Sequence, residues 1–502
     1  MYYFVNEYFY GLNSGIEHAE MKRLNLFKSM NVPAKLVTRE FNTQLHRNMA
    51  KFGLHSDDVV NMFDFFQGAT NIETKQAKIK DAKVNPDYEI SPDSTVSKVF
   101  RVNLLNNRVI FMAGTFGQLD TKESFDKYQN FVQAEQWDWR GFKSCIKYYD
   151  DESHLIRDEY LDIHGNTVLE AAYGGEGVSQ SDMTFIRLIN YKGHDRFFGN
   201  IDELFTFFLA ELDKVQTPGE NTFIADRPLP TYKPVMSIPS QSRKFIFMPM
   251  IQTNQKYSLS DGALADIYQD ALSRENIGLL NGIIVATKAQ QKDMADHIQK
   301  KIGVDTPVIY LPAATTDGVV PVAGGKKDQI IFVGRLGNDK GIVRLIQMFK
   351  EVHNHLTNLK LEIYGYGEAK KPAQEEAKKL GIDDVVDFND YQIDLSKPYS
   401  EAQLFVTPTP VDIEPLALTE AASYGLPMVA FNIAYGPSEI IRDGWNGMLF
   451  RDGETKEMAE GIAVLLKDPK RLAEYSENAR KTAEKFSNKA IAKLWQSQIV
   501  NN

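Results

Sequence analysis

Arg335 and Lys340 stand five residues apart in FVGRLGNDKG, and Asp412, Glu414 and Glu420 gather in DIEPLALTEAASYG. Two cations at that spacing suit a diphosphate, because arginine offers a planar fork to phosphate oxygens and lysine a compact point charge. The carboxylates could accept hydrogen bonds from sugar hydroxyls. Both groups also have a plainer reading. The cations could be solvated loop residues, and acids near a helix start complement its dipole, worth roughly 0.3–1 kcal/mol each. In GLNSGIEHAE, Gly11 and Gly15 allow close backbone approach and Ser14 can cap a helix. That spacing is not GxGxxG, so a dinucleotide site is unsupported. Gly365 and Gly367 in IYGYGE permit close approach in the same way.

These residues need strand ends and helix starts to hold them. IIFVGRL, LKLEIYGYG, VVDFND, AQLFVTPTP and PMVAFNI read as buried strands, and they alternate with GIVRLIQMFKEVHNHL, PAQEEAKKLG and LALTEAASYG as helices. That alternation implies an α/β fold with a parallel, doubly wound sheet and right-handed crossovers, which binds ligands at the carboxyl ends of its strands. Arg335 and Lys340 then fall between a strand end and a helix start. Leu418 and Thr419 fall near the start of the next helix, where backbone N–H groups can face an anion.

The N-terminal half begins likewise. YYFVNEYF predicts a strand, GLNSGIEHAEMKRLNLFKSM an amphipathic helix with apolar positions near Ile16, Ala19, Leu24 and Phe27, and AKLVTREF and VVNMFDFF two further strands. Residues 75–193 then alternate apolar and polar positions, with breaks at Asn106-Asn107, Asp150-Asp151 and Gly165-Asn166, and predict an inserted antiparallel meander. Its strands SKVFRVNLL and VLEAAYGG could end in exposed edges that pair between subunits. The predicted division is 1–74 with 194–315, the insertion 75–193, a second α/β domain 316–485, and a C-terminal helix 486–502 packing back on the first domain. The Ala-, Thr-, Gly- and Pro-rich LPAATTDGVVPVAGGKKDQ is the linker.

Composition narrows the class. With 502 residues, 43% hydrophobic and 25% charged, the chain suits two or three globular domains, and no apolar run approaches the length of a membrane span. The start MYYFVNEYFYG lacks a basic segment and a cleavage site, so a cytoplasmic location is expected. A net charge of −10 argues against nucleic acid as the main partner. The single cysteine, Cys145, excludes an intrachain disulfide and a Cys-rich zinc site, and is expected to be an ordinary thiol.

Taken together, the glycine-containing first loop, GRLGNDKG, LALTEAASYGLPMVAF and YGPSEIIRDGWNGMLF resemble the retaining family-4 glycosyltransferases. NSGIEHAEMKRL, NMFDFF and the 75–193 meander resemble the bacterial subgroup with an inserted β-domain that glycosylates serine-rich adhesins or wall teichoic acid. The resemblance implies a GT-B fold of two Rossmann-like domains facing a cleft, acceptor side first and donor side second. It implies transfer of glucose or N-acetylglucosamine from a UDP-sugar to an acceptor hydroxyl with retention.

Carried over by position, Gly15 contacts the donor phosphate, Arg335 and Lys340 neutralise the diphosphate, Leu418 and Thr419 donate backbone hydrogen bonds to the distal phosphate, and Glu420 binds ribose. The family's acid pair is Glu, seven residues, Glu. Counting back from Glu420 reaches Asp412, whereas Glu414 matches the Glu-Pro step, so both remain candidates for the sugar contact, Asp412 first. The subgroup's usual histidine after KFIFMPMIQTNQ is absent, since no His lies between His194 and His297; Gln252 and Asn254 are the polar stand-ins. No cofactor or divalent metal is expected beyond the donor. The expected partners are the acceptor and further copies of the chain, as a trimer or tetramer, with at most peripheral membrane association. The competing reading is a non-catalytic, acceptor-binding subunit of the same fold.

Overall fold

The computed structural model describes residues 1–174, 182–215, 219–253, 263–321 and 326–501. The chain divides into two compact units. One comprises Met1–Gly11, Ala34–Phe223 and Lys233–Ser242, and the other Leu12–Pro33, Ile224–Tyr232 and Arg243–Asn502.

In the first unit the strands Tyr2–Asn6, Ala34–Thr38 and Val59–Asn61 pair in parallel. All five residues of Tyr2–Asn6 are buried, as expected of a parallel strand covered on both faces. VVNMFDFF is not one strand. Asn61 ends the strand and caps a short helix, Met62–Phe66, its Oδ1 accepting from the amides of Phe63 and Asp64 at 2.9 and 3.2 Å.

The inserted segment is a ten-stranded antiparallel meander, Glu89–Ser91 to His194–Phe198, with every strand beside its sequence neighbour. Its first full hairpin turns at Val102-Asn103, both in the left-handed region at φ 49° and 65°, and not at Asn106-Asn107. Those asparagines lie inside the strand Leu104–Phe111, where Asn107 Nδ2 donates to Ser124 Oγ of the adjacent strand at 2.9 Å. The breaks expected at Asp150-Asp151 and Gly165-Asn166 are turns, closed by Asp150 and Asp162: each carboxylate accepts from the amides two and four residues on, at 2.8–3.0 Å. Asp126 does the same in a turn that the sequence pattern missed. The two strands expected at edges, Val96–Arg101 and Thr167–Tyr173, are interior, and the edges are Glu89–Ser91 and His194–Phe198. Cys145 is buried inside the strand Lys143–Tyr149, and burial pushes its thiol far above the usual range.

The second unit contains a six-stranded parallel sheet in the order Val386–Asn389, Lys360–Tyr364, Gln329–Val333, Leu404–Thr407, Met428–Phe431, Gly447–Phe450. The chain therefore runs outward from Gln329–Val333, returns to its other side at Leu404–Thr407 and continues outward, which creates a topological switch point between those two strands. The helix Ile342–His355 packs on this sheet through Leu345, Ile346, Phe349 and Val352, spaced for one helical face. A second parallel set, Arg243–Met248, Gly282–Val285 and Val308–Tyr310, lies in the same unit.

The helix Gly15–Ser29 also belongs to this unit, and only half of its expected apolar face holds. Leu24 and Phe27 are buried, but so are Glu17, Glu20 and Arg23, while Ile16 and Ala19 are half-buried. Two of these buried charges are in ion pairs: Arg23 with Asp226 at 2.6 Å and Glu17 with Arg227 at 2.5 Å. Phe27 packs edge-to-face against Trp495 of the helix Asn488–Trp495. The linker reading falls partly on residues 322–325, outside the described residues. Among the described residues no helix is long and apolar enough to cross a membrane.

Candidate active site

The loops after the two strands at the switch point carry the cations and the acids. After Gln329–Val333 the chain passes Arg335, a single 3-10 turn Asn338–Lys340, and Gly341 at φ 70° before the helix Ile342–His355. A Cβ at Gly341 would lie 2.9 Å from Pro408 O, so this loop packs on the one after Leu404–Thr407. A third loop supports it. Leu336 N–H donates to Tyr366 O at 2.7 Å, and Gly365, at φ 150°, has no room for a side chain because a Cβ there would lie 1.9 Å from Gly334 O. Gly365 and Gly367 thus serve close approach between loops.

Arg335 Nη2 donates to both carboxylate oxygens of Asp339 at 2.7 Å, with its side chain 42% exposed. Lys340 Nζ donates to Asp412 Oδ2 at 2.9 Å, both side chains being mostly covered. A pair as exposed as Arg335–Asp339 is worth about 0–1 kcal/mol, so a ligand anion can replace the carboxylate at little cost.

The two rival acids have different environments. Asp412 faces Lys340 and also accepts from Ile413 N–H through Oδ1 at 2.9 Å. Glu414 is buried and turned away, with Oε2 accepting from the amides of Ala313 and Ala314 at 2.6 and 3.2 Å. Burial, reinforced by Glu439 and Asp412, pushes its carboxyl up to about 8 despite those two amides.

Leu418 and Thr419 lie in the helix Leu416–Ser423, and both are fully buried. The Leu418 N–H donates to Pro415 O at 2.9 Å, and the Thr419 hydroxyl donates to Leu416 O at 2.7 Å. Gly15 opens the helix Gly15–Ser29, capped by Ser14, whose Oγ accepts from Ile16 N–H at 3.3 Å. A Cβ at Gly15 would come 4.0 Å from Leu416 Cδ1, so the starts of these two helices meet.

Glu420 is gripped by residues to which the sequence assigned no role. Lys22 Nζ donates to Glu420 Oε1 at 2.7 Å and to Thr315 O at 3.2 Å, and the Tyr399 hydroxyl donates to Glu420 Oε2 at 3.2 Å. Burial opposes the charge, but Lys22, His18 and Tyr399 outweigh it and hold this carboxyl below the usual range. His18, whose Nε2 meets the Tyr391 hydroxyl at 2.8 Å, is held below its ordinary value by burial. A cavity of about 360 Å³ lies alongside, lined by Lys22, Thr315, Asp394, Tyr399, Glu420 and Ser423 among others; Arg335 and Lys340 do not line it. Lys22 and Glu420 are 398 positions apart, and the sequence signal for Lys22 is its place on the Gly15 helix within NSGIEHAEMKRL.

Gln252 is fully buried, with both ends of its amide engaged by Tyr435 and Gln290. Asn254 lies outside the described residues. Among the described residues no group of three His, Cys, Asp or Glu side chains could hold a metal ion.

Residues 319–482 match the family described as glycosyl transferases group 1. The chain is 25% identical over 502 residues to the UDP-N-acetylglucosamine–peptide N-acetylglucosaminyltransferase GtfA subunit of Streptococcus gordonii, covering 96% of this chain and 95% of that one. It is 28% identical over 227 residues to the poly(ribitol-phosphate) alpha-N-acetylglucosaminyltransferase of Staphylococcus aureus, 44% of each chain. That match is partial, as is one to an uncharacterized glycosyltransferase of Haemophilus influenzae, of which the chain spans 47% at 29% identity. In structure it superposes on the pneumococcal O-GlcNAc transferase GtfA, solved with UDP and GlcNAc, with a TM-score of 0.87 at 19% identity, covering 100% of this chain and 98% of the other. The parallel sheets and the inserted antiparallel sheet thus recur in a known architecture: the chain has the GT-B fold, and its residues 319–482 match the glycosyl transferases group 1 family.

Proposed function

We propose that this protein is a retaining glycosyltransferase that moves glucose or N-acetylglucosamine from a UDP-sugar to a hydroxyl of a bacterial cell-surface acceptor, a serine-rich glycoprotein or wall teichoic acid. The observation that carries the reading is the placement of Arg335, Lys340 and Asp412 on adjacent loops at the switch point of the parallel sheet. Ligands of open α/β sheets bind at such points. The names of the relatives support a UDP-N-acetylglucosamine donor and, as acceptor, either a peptide or a poly(ribitol-phosphate).

In this reading Arg335 and Lys340 leave their carboxylate partners for the donor diphosphate and stabilise the charge that grows on departing UDP, which is the dominant kind of catalytic term. Gly15 and Thr419, where two helix starts meet, offer backbone to the phosphates, whereas the Leu418 N–H assigned the same role already donates to Pro415 O. Glu420, held by Lys22 and Tyr399, accepts from ribose. Asp412 takes the sugar contact, because Glu414 is committed to the Ala313 and Ala314 amides. The anomeric C–O bond to UDP breaks, a bond from the acceptor oxygen forms on the same face, and the acceptor proton passes to the leaving phosphate. The two cations carry the neutralisation, so a chelator is expected to leave the rate unchanged.

Release of UDP from UDP-glucose and UDP-N-acetylglucosamine, with and without a serine-rich peptide or teichoic acid, tests the proposal. The second reading, a non-catalytic acceptor-binding subunit, is favoured by the uncharged, fully engaged Gln252 where the subgroup has histidine. It requires that neither sugar nucleotide is turned over by the protein, while the acceptor still binds.

A further inference from the structure

One buried polar chain in the second unit, to which Gln252 belongs, has no part in the transfer steps proposed above. Tyr435 lies between the strand Met428–Phe431 and the short helix Pro437–Ile440, and its side chain is inside the protein. Its hydroxyl donates to Asp293 Oδ2 at 2.6 Å and accepts from Gln252 Nε2 at 2.7 Å. Gln252 Oε1 accepts from Gln290 Nε2 at 3.2 Å, and Gln290 Oε1 accepts from the Ala286 amide at 3.2 Å. Both glutamines are fully buried. The backbone of the same tyrosine reaches the other way, its N–H donating to Asp412 O at 3.0 Å. The next residue, Gly436, runs so close to this loop that a Cβ there would lie 2.3 Å from Ile413 O.

Tyr435 is thus anchored through its side chain to the helix Lys288–His297 and to the segment after Arg243–Met248, and it holds the Asp412 loop through its backbone. That loop contains both rival acids and no regular structure between Leu404–Thr407 and Leu416–Ser423. A carboxylate there depends on neighbours for its position. Lys340 fixes the side chain, but in the transferase reading that contact is given up when Lys340 turns to a phosphate. The buried hydroxyl network persists through that exchange, because leaving its groups unpaired is costly.

We infer that Tyr435 is a positioning residue for Asp412, set in place by Gln252, Gln290 and Asp293, and that Gln252 works through Tyr435 and not on the sugar. The inference rests on the transferase reading above. It accounts for a glutamine with both amide ends engaged near a proposed sugar site. It also separates two effects, since the nucleotide is held elsewhere, by Arg335, Lys340 and Glu420.

The test uses the full-length protein, UDP-sugar turnover and the equilibrium affinity for UDP, with Tyr435→Phe, Gln252→Leu, the double variant and Asp293→Asn. Tyr435→Phe is expected to lower kcat roughly tenfold while UDP affinity changes by less than about twofold, as for loss of a hydrogen bond that orients and does not bind. Gln252→Leu is expected to match it, and the double variant to be no slower than the slower single one, since both remove one shared contact. Asp293→Asn keeps an acceptor for the tyrosine hydroxyl and retains most of the rate. Additive losses, or a UDP affinity that falls in step with kcat, overturn the inference. Should Tyr435→Phe fail to fold, Gln252→Leu against Asp293→Asn makes the same comparison. An active wild-type protein with Tyr435→Phe at full rate sinks the positioning role alone, whereas a wild-type protein inert toward both UDP-sugars sinks the transferase reading and this inference together.

Discussion

Arg335 and Lys340 each meet a carboxylate that can be exchanged for phosphate, and this sets the effect of removing them. Arg335→Ala or Lys340→Ala is expected to slow UDP release at least about 100-fold with an unchanged melting temperature, as for loss of a preorganised charge partner. Glu414 makes a different prediction. Its carboxyl is raised from 4.5 to about 8 in the folded protein, so the protonated form favours folding. That contribution is complete below about 4.5 and is lost as the pH rises through about 8. Urea midpoints of the wild type are expected to fall across this window. Those of Glu414→Gln, whose amide oxygen still accepts from Ala313 and Ala314, should stay flatter. Lys22 acts on Glu420, so Lys22→Met is expected to raise KM for the UDP-sugar several-fold with kcat nearly unchanged, and Lys22→Arg to restore most of it.

At the level of elements, the loop bearing Arg335 takes its shape from the loop after Lys360–Tyr364. Gly365 is required there twice over, by its positive φ and by the 1.9 Å approach that a Cβ would make to Gly334 O. Gly365→Ala is expected to destabilise the protein by roughly 1–3 kcal/mol and to weaken UDP binding, measured by thermal melting and titration. The turn chemistry shows how far local rules reach. Asp150 and Asp162 close their turns by accepting nearby amides, a short-range interaction that the residue type announces. Val102-Asn103 won the first hairpin over Asn106-Asn107 because Asn107 found a cross-strand partner in Ser124. That is a contact between strands, outside the view of any turn rule.

At the largest scale the second unit is tied together by elements far apart in sequence. The helix Gly15–Ser29 packs against the helix Asn488–Trp495 through Phe27 and Trp495, and Arg243 donates to Ile499 O at 2.8 Å. Trp495→Ala is expected to cost about 3–5 kcal/mol, as for a large buried aromatic, and to lower activity through that helix; chemical unfolding measures it. We propose that the chain self-associates through the insertion. The exposed edge strand His194–Phe198, with Phe197 61% exposed beside Phe185, is the surface to test by light scattering of Phe197→Asp.

The sequence by itself determined the alternation of strands and helices, the inserted meander, and which residue types stand at strand ends and helix starts. Hydrophobic period, glycine placement and capping act over a few residues, so those features are legible in a string. Even there Met62–Phe66 escaped, because one asparagine cap converts a strand pattern into a helix start. Only the tertiary structure decided the partners of the charged groups: Lys340 with Asp412 across 72 positions, Glu414 with Ala313 across 101, Lys22 with Glu420 across 398. Spacing along a chain carries no record of which charge another will meet once the sheet has ordered its strands. That ordering separates Asp412, facing a cation near solvent, from Glu414, buried against backbone amides two residues later.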